Sequence, residues 1–481
     1  MSAIMLQGTG SDVGKSILVA GLCRVFADRG MKVLPFKAQN MSNNAAAASD
    51  GGEIGRAQHL QALACRVAPS VHHNPVLLKP QSDIGAQVIV QGKMYGNIAA
   101  KDFNFNRRDL LKTVLESFDI LKSTSDIVVV EGAGSPAEIN LREGDIANMG
   151  FACAAKVPVI LVGDIDRGGV IASIVGTKSV LSAEDAAMIK GFIINRFRGY
   201  VKLFNDGYNS IESFTGWRGF GIVPWIDAVR SLPQEDAIPK DIESDGSVTI
   251  AIPLLPRISN HDDFDALEAE PSVRIIRVPP NKPIPATANL VILPGSKSTI
   301  SDLSFLRKQG WDIDLAALVR HGGHVLGICG GYQMLGKTIS DPDGIEGDPC
   351  KVDGLGLLPV HTVLSADKRV RNVEGISIAD KTPFCGYEIH CGRTTLENGS
   401  ASLLQFSGGE LDGAISADGL VSGCYVHRLF DDAKQRKCIL KKLGGTSDGI
   451  DQSVRVEAAL DSLAAVLKEC LDIDGILEVS N

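Results

Sequence analysis

A cysteine in a glycine-flanked turn after an apolar run is the feature that most constrains how this chain can fold. Residues 325–331 read Val-Leu-Gly-Ile-Cys-Gly-Gly, so Cys329 has one glycine two positions before it and another two positions after it. This is the thiol form of the nucleophile elbow, a sharp turn from a strand into a helix where only glycine leaves room for a substrate close to the backbone. A buried cysteine is ordinarily a small core residue, but this context predicts that Cys329 is a nucleophile.

A candidate base for that thiol lies farther along the same half of the chain. Residues 423–427 read Gly-Cys-Tyr-Val-His, a short apolar strand that ends at His427. A thiol activated by an imidazole can take an acyl group from an amide, release ammonia and leave a thioester for water to hydrolyse. Cys329 and His427 together therefore predict acyl-transfer chemistry.

A second, unrelated pattern near the N-terminus predicts a phosphate-binding loop. Apolar residues 3–7 precede Gly-Thr-Gly-Ser-Asp-Val-Gly-Lys-Ser at positions 8–16, and an amphipathic helical pattern follows. In such a loop the backbone N–H groups surround phosphates, Lys15 neutralises them and Ser16 holds Mg²⁺. The strict pattern has glycine where this chain has Thr9, and the alternative is a glycine-rich turn with a chance Lys-Ser pair.

Apolar strands alternate with helical stretches along the first half, which is typical of a parallel sheet wound with helices. These strands are expected at residues 32–36, 126–131, 157–162, 191–195 and 219–224. Because ligands in such sheets bind at the carboxyl ends of strands, Glu131 is expected to be a metal ligand or a catalytic group. For Asp164 and Asp166, at another strand end, a functional role and a solvated loop carboxylate are equal alternatives.

The strand pattern resumes after a polar, proline-punctuated stretch, which predicts two doubly wound α/β domains. New strands are expected at residues 248–253 and 289–294, followed by the strand that leads into Cys329. We predict a phosphate-binding domain at residues 1–230, a linker at 231–247, a thiol-containing domain at 248–445 and a helical tail at 446–481. Apolar residues at helical spacing in the tail indicate packing: Val456, Leu460, Leu463 and Leu467.

Composition restricts the partners. The chain has 481 residues and a net charge of −9, which argues against nonspecific binding to nucleic acid or to an anionic membrane, since either needs a basic surface. The ten cysteines show no paired CxxC spacing, so neither a disulfide scaffold nor a zinc site is indicated. The sequence has no signal peptide and no apolar run long enough to span a bilayer, so a cytoplasmic location is expected.

Two unrelated sites on one chain predict a single amidating enzyme. A phosphate loop can activate a carboxylate as an acyl phosphate, which an amine then attacks, and a thiol site can release ammonia from glutamine. Both intermediates must be shielded from water, which favours joining the two sites in one protein.

The motifs resemble those of a known family. With Thr9 in the first glycine position, the phosphate loop resembles that of the dethiobiotin synthetase superfamily, and the C-terminal half resembles class I glutamine amidotransferases. Together with residues 36–45, 50–58 and 294–300, the combination resembles the cobyric acid synthases of the cobalamin pathway over nearly the whole chain. The resemblance implies amidation of the b, d, e and g carboxylates of adenosylcobyrinic a,c-diamide, with ATP, Mg²⁺ and glutamine as the nitrogen donor.

The resemblance also implies roles for individual residues. Cys329 would attack the glutamine amide and His427 would transfer its proton. Backbone N–H groups at Gly295 and Gly330 would stabilise the oxyanion, and Mg²⁺ would be bound by Ser16, Glu53 and Glu131. The nucleotide would contact Thr9, Gly10, Val13, Gly14, Lys15, Ser16 and Asn195. For Asn195, a helix-capping role is an equal alternative.

One position departs from the wider amidotransferases. Many of them have a glutamate two residues after the histidine, which orients the imidazole, whereas this chain has Leu429. The cobalamin-pathway synthases resemble this chain in that respect, so the group that orients His427 stays open and a weak free glutaminase is expected. Tyr387, Glu388 and His390 either contact glutamine or an interface, or belong to an ordinary strand edge.

The corrinoid implied by the resemblance is a polyanion, so a local basic pocket is expected. Its candidates are Lys37, Arg56, Arg196 and Arg198, because arginine pairs well with carboxylates. The corrin contacts, the order of amidations, the route of ammonia and the oligomeric state do not follow from the sequence.

Three other functions fit parts of the pattern. The related synthase that makes the a,c-diamide from cobyrinic acid has the same two-part build. It is the second choice because residues 36–58 resemble the cobyric acid synthases. A partition ATPase of the same superfamily would have a lysine near the start of the loop, which residues 7–10 lack, and has no use for a thiol elbow. A scaffold without activity would not need Cys329 and His427.

Overall fold

The computed structural model describes residues 2–82, 85–99, 107–233 and 245–481. The chain divides into two compact units. The first unit comprises residues 1–42, 48–235 and 456–481, and the second comprises residues 43–47 and 236–455. Of the predicted linker at 231–247, residues 234–244 lie outside the described part of the chain.

Strands and helices alternate through most of both units. The strands are β1 (Ser2–Gly8), β2 (Val33–Phe36), β3 (Gln39–Met41), β4 (Ala45–Ala47), β5 (Glu53–Gly55), β6 (Val76–Ser82), β7 (Gly85–Val90), β8 (Lys93–Ala99), β9 (Ile127–Glu131), β10 (Val159–Asp164), β11 (Ile189–Phe197), β12 (Arg218–Pro224), β13 (Val248–Pro253), β14 (Ile258–Ser259), β15 (Val273–Val278), β16 (Leu290–Leu293), β17 (Gly295–Ser296), β18 (His324–Ile328), β19 (Thr338–Asp341), β20 (Cys350–Asp353), β21 (Val360–Ser377), β22 (Pro383–Leu396), β23 (Leu404–Phe406), β24 (Leu411–Asp412), β25 (Ala414–Ile415) and β26 (Val421–Cys424). The helices are α1 (Lys15–Asp28), α2 (Arg56–Ala64), α3 (Arg107–Ser123), α4 (Met149–Ala155), α5 (Val170–Val180), α6 (Ala183–Met188), α7 (Asn205–Thr215), α8 (Asp265–Glu268), α9 (Thr299–Lys308), α10 (Trp311–Arg320), α11 (Gly330–Leu335), α12 (Ala433–Lys442), α13 (Gln452–Cys470) and α14 (Ile473–Ser480).

The first unit is built on a six-stranded parallel sheet in the order β12-β11-β10-β1-β9-β2. Every residue of β9 and β10 is buried, as expected where helices cover both faces of a parallel sheet. Glu131 pairs with Leu6, and Asn195 pairs with Asp164, so these residues share the carboxyl edge of the sheet. The strands predicted in this half are confirmed. A second sheet in the order β3-β6-β7-β8 was not predicted.

Residues 456–481, which form most of α13 and all of α14, lie in the first unit. The apolar stripe that the sequence assigned to packing is buried: Val456, Leu460, Leu463 and Leu467. Gly21 of α1 makes room for it, because a Cβ there would lie 2.4 Å from Cδ1 of Leu467. The fully buried Arg24 donates to Asp461 at 2.9 Å and pairs with Glu457 at 2.8 Å. The helices thus close the core around α1, which the sequence spacing did not reveal.

The second unit has a sheet in the order β15-β13-β16-β18-β26-β25, parallel except for the pairing of β25 with β26. Its predicted strands are confirmed, and β26 ends three residues before His427. A mixed sheet stands beside it, in which the long strands β21 and β22 pair antiparallel. No helix within the described residues combines the length and the apolar character needed to cross a bilayer.

Candidate active sites

Cys329 occupies the sharp turn that its flanking glycines predict. It stands between β18 and α11 with φ 51° and ψ −107°, a left-handed region that costs a non-glycine residue strain. The glycines are required by space. A Cβ at Gly331 would lie 2.1 Å from the carbonyl oxygen of Leu293, and one at Gly330 would lie 2.8 Å from the backbone nitrogen of Ser296. The backbone on either side of Cys329 is therefore packed too tightly for any residue but glycine.

His427 is buried beside that thiol and is held by a carboxylate. Its Nδ1 lies 2.8 Å from Oδ2 of Asp263, and Cys329 is close enough to contribute to the raised pKa of His427. The other carboxylate oxygen of Asp263 accepts the backbone N–H of Arg428 at 2.8 Å. The ring of Tyr387 stacks on the imidazole with centroids 5.3 Å apart. The three side chains Cys329, His427 and Asp263 thus form a nucleophile–base–acid series.

The electrostatics of the series favour a charged imidazole. Burial alone would lower the pKa of His427, but the charge and hydrogen bond of Asp263, together with Cys329, raise this pKa to about 10. His427 can then return its proton to a departing amine.

Asp263 is the orienting group that the sequence left open. It lies 164 positions before His427, in a short 3₁₀ turn, His261–Phe264, that follows β14. The only sequence signal was the acidic run His-Asp-Asp-Phe-Asp at 261–265, which resembles an ordinary solvated loop. Burial separates the two interpretations, because Asp263 is 1% exposed.

We expect Asp263→Asn to lower kcat for glutamine hydrolysis by about 10²-fold or more, because an amide cannot hold the imidazolium as a carboxylate does. The pKa of His427 should fall, since burial would no longer be offset. The alkaline limb of the rate–pH profile should therefore move towards neutral pH. The raised pKa of His427 contributes stability that is complete below about pH 6.5 and is lost as the pH rises through about 10.

Rate–pH profiles for glutamine hydrolysis between pH 6 and pH 10 test this expectation, and thermal melts at both ends of that range test the stability. Asp262→Asn, at the neighbouring position of the same turn, is the control. An unchanged alkaline limb in Asp263→Asn would show that another group holds the imidazole.

The two glycines proposed for the oxyanion lie close to this pair. A Cβ at Gly295 would lie 3.2 Å from Cε1 of His427, so Gly295 borders the imidazole. Gly330 begins α11, and the first N–H groups of a helix have no partner within the helix. The structure thus brings both glycines to the thiol–imidazole pair, and their donation to an oxyanion stays a prediction.

The polar cluster on β22 also borders the thiol. Sγ of Cys329 donates to the carbonyl of Ile389 at 3.6 Å. The buried Glu388 accepts Nε of Arg371 at 2.6 Å, and its pKa is lowered because the neighbouring His390 and Arg371 outweigh burial. The ring of His390 stacks on Tyr425 at 3.7 Å. These contacts place the cluster beside Cys329, and its contact with glutamine stays a prediction.

The predicted phosphate loop connects β1 to α1 in the first unit. Gly14 has φ 92°, and a Cβ there would lie 2.3 Å from Nδ2 of Asn195. That amide donates to the carbonyl of Val13 at 2.8 Å, so Asn195 is a strand residue that supports the loop and not a helix cap. Nζ of Lys15 donates to the carbonyls of Gly10 at 2.9 Å and Gly134 at 3.0 Å. Thr9 is held through its N–H, which donates to Val162 at 2.9 Å.

Ser16 and Glu131 meet at the start of α1, and a cation shared between them stays a prediction. Oγ of Ser16 donates to Oε1 of Glu131 at 2.7 Å, and Nζ of Lys37 donates to the same oxygen at 2.8 Å. Gln61 donates to Oε2 at 2.5 Å. Burial would raise the pKa of Glu131, but the Lys37 charge and these hydrogen bonds outweigh it and lower the pKa. Lys37 and Gln61 were not assigned to this cluster from the sequence.

Ser16 and Glu131 fit a magnesium ion that would take its remaining ligands from other molecules. A serine hydroxyl and an ionised carboxylate are oxygen donors of the kind Mg²⁺ prefers, and Mg²⁺ commonly takes its remaining ligands from phosphates and water. Glu53 is buried and pairs with Lys79. Within the described residues, no group of three His, Cys, Asp or Glu side chains could hold a metal by itself. Ser16 and Glu131 are therefore the better-placed members of the predicted set.

Asp164 and Asp166 pair with arginines at the same sheet edge. Asp164 accepts from Arg196 at 2.9 Å and Asp166 from Arg198 at 2.7 Å, and Arg198 lies over the ring of Trp225. Arg56 is buried. Of the proposed basic residues, Arg196 and Arg198 are thus the two at the strand ends.

Comparisons with known proteins match one family model to each half of the chain. Residues 4–239 match the model of the CobQ/CobB/MinD/ParA nucleotide binding domain, and residues 249–435 match that of the CobB/CobQ-like glutamine amidotransferase domain. The chain is 57% identical over 481 residues to a cobyric acid synthase of Methylorubrum populi, covering 99% of both chains. It is 55% identical to one of a Caulobacter species, covering 100% of both, and 57% identical to one of Novosphingobium aromaticivorans, covering 99% of this chain and 97% of the relative.

Proposed function

The chain belongs to the cobyric acid synthase family, and we propose that it amidates the b, d, e and g carboxylates of adenosylcobyrinic a,c-diamide to give adenosylcobyric acid. ATP would activate each carboxylate, with Mg²⁺, and glutamine would supply the nitrogen. The ATP-dependent step is assigned to residues 1–230 and glutamine hydrolysis to residues 248–445. The observation that carries the proposal is the buried series Cys329–His427–Asp263 on the same chain as the Lys15 loop.

Glutamine hydrolysis follows from the order of the three side chains. Asp263 accepts the Nδ1–H of His427, which leaves the other ring nitrogen for the thiol. The Cys329 thiolate attacks the side-chain amide carbon of glutamine, and His427 gives its proton to the departing ammonia. Water then attacks the thioester with His427 as the base and releases glutamate.

Carboxylate activation follows from the charges around the loop. Lys15 would neutralise the phosphates of ATP, and the backbone N–H groups of residues 9–16 would surround them. When bound at Ser16 and Glu131, Mg²⁺ would offset further negative charge on the phosphates. Lys37 helps to lower the pKa of Glu131, so the ionised carboxylate would be able to bind the ion. A carboxylate oxygen of the corrinoid would attack the γ-phosphorus of ATP, which forms an acyl phosphate and releases ADP. Ammonia would then attack the acyl carbon, lose a proton and displace phosphate, which leaves the amide.

A time course tests the proposed substrate. One site that accepts four similar carboxylates cannot clamp the whole corrin in a single pose, so partly amidated products should dissociate and rebind. Starting from the adenosylated a,c-diamide, mass spectrometry should show tri-, tetra- and penta-amides in turn before the hexa-amide. Each step should consume one ATP and one glutamine.

Cobyrinic acid without amides is the control substrate and should react poorly. The enzyme that makes the a,c-diamide has the same chemistry and acts earlier. Efficient conversion of cobyrinic acid to its a,c-diamide, with the reaction ending there, would identify the chain as that enzyme instead.

A further inference from the structure

The turn that carries Asp263 is not held by its own hydrogen bonds alone. Asn260, at the start of the turn, adopts a left-handed conformation with φ 52°, and its carbonyl accepts the N–H of Asp263 at 3.1 Å. A non-glycine residue adopts this conformation at a cost, which surrounding contacts must offset. The position of Asp263 therefore depends on what secures Asn260.

Asn44 secures that turn at two points. Its side-chain Oδ1 accepts the backbone N–H of Asn260 at 2.7 Å, and its Nδ2 donates to Nδ1 of His261 at 2.9 Å. The side chain of Asn260 returns the contact by accepting the N–H of Ala45 at 3.1 Å. Asn44 and Asn260 are each 2% exposed, so water does not compete for these bonds. The exchange is reciprocal and joins two segments 216 positions apart.

Asn44 belongs to the second unit although the chain on both sides of it belongs to the first. Residues 43–47 form a short segment of that unit, and Ala45–Ala47 are buried. The position lies within the range that matches the nucleotide binding domain and outside the range that matches the amidotransferase domain. In sequence it follows Lys37, which pairs with Glu131, by seven residues.

We propose that Asn44 is a positioning residue for glutamine hydrolysis. It holds Asn260 and His261, these hold the turn of Asp263, and Asp263 orients the imidazole of His427. Glutamine hydrolysis thus depends on a side chain that lies outside the amidotransferase sequence. The inference rests on the proposed function only for its glutamine-hydrolysing half, because it requires no particular corrinoid.

Glutamine hydrolysis should be sensitive to Asn44 because the hydrogen bond between Asp263 and His427 tolerates little displacement. The two atoms are 2.8 Å apart, and a hydrogen bond of this kind weakens steeply with misalignment. A displacement of about 1 Å in supporting structure can cost about 10²-fold in rate. Removing the Asn44 amide deletes both bonds to the turn and leaves the backbone N–H of Asn260 without its acceptor.

The test is Asn44→Ala in the full chain, with Asn43→Ala as the matched control. Among the described residues, Oδ1 of Asn43 accepts no hydrogen bond, so its loss should leave the turn intact. In Asn44→Ala, kcat for glutamate release from glutamine should fall by about 10- to 100-fold with KM within about threefold. Amidation driven by ammonium chloride should stay within about threefold of the wild type in both variants, which shows that the fold is kept.

A double-mutant cycle with Asp263→Asn separates positioning from general damage. If Asn44 acts through Asp263, then adding Asn44→Ala to Asp263→Asn should cost less than about twofold further in kcat. If the fold losses in kcat of the two single variants multiply in the double variant, the inference is overturned. An Asn44→Ala variant with normal glutamine kinetics would also overturn it. A wild type that hydrolyses no glutamine would overturn the proposed function and this inference together, whereas a wild type that hydrolyses glutamine but rejects the corrinoid would overturn the proposed substrate alone.

Discussion

Cys329→Ala should lose glutamine-dependent amidation by about 10⁴-fold or more while amidation from ammonia persists. Removing the nucleophile of a triad leaves no covalent route for the amide, so the loss is of the order seen when such a residue is deleted. The phosphate loop lies in the other compact unit, and ammonia supplied at high concentration and high pH needs no thiol. The measurement compares corrinoid amidation with glutamine against amidation with ammonium chloride.

Cys385→Ala is the matched control for this change. Cys385 is an exposed free thiol on β22, so both nitrogen sources should work in that variant as in the wild type. His427→Ala should behave as Cys329→Ala does, because both remove the thiol route. If ammonia fails to rescue Cys329→Ala, the thiol is structural or the two reactions are inseparable.

The parts of the molecule that could be predicted from sequence are those that a local pattern specifies. Cys329 lies between an apolar strand and a helix, and Lys15 begins the helix that follows the phosphate loop, with glycines in both turns where the backbone comes close. Such a pattern predicts a sharp turn, because the glycines are required there: a Cβ at Gly331 or Gly14 would collide with a neighbour. The parallel strands could also be predicted, because strands that are buried on both faces appear in the sequence as continuous apolar runs.

The parts that could not be predicted are contacts between distant segments. Asp263 reaches His427 across 164 positions, and its acidic run has the composition of a solvated loop. Lys37 and Gln61 surround Glu131 only because β2 lies beside β9 and α2 beside α1. The antiparallel pair β21–β22 is only partly buried, so its sequence lacks the apolar runs that revealed the parallel sheets.

The buried charges also decide which residue best tests the ATP-dependent half. Glu131→Ala would leave the ammonium group of Lys37, which is 7% exposed, without its carboxylate. Stranding one partner of a buried ion pair costs about 3–5 kcal/mol, so lost activity in that variant could reflect unfolding. The two hydrogen bonds from Nζ of Lys15 go to neutral backbone carbonyls, those of Gly10 and Gly134, so Lys15→Ala is the sharper test.

Lys15→Ala should therefore reduce amidation by about 10²- to 10³-fold or more with glutamine and with ammonia alike. The lysine neutralises phosphate charge that develops as the phosphoryl group is transferred, and no other nitrogen source can replace that interaction. Glutamine hydrolysis should continue at the basal rate of the wild type, because Cys329, His427 and Asp263 are untouched. Lys190→Ala is the control, since its Nζ also donates to a backbone carbonyl, that of Ala187, but away from the loop. Parallel assays of ATP consumption, amidation and glutamate release check the expectation. A Lys15→Ala variant with normal ATP consumption would exclude the phosphate-loop assignment, because removing a residue that stabilises phosphoryl transfer must slow ATP consumption.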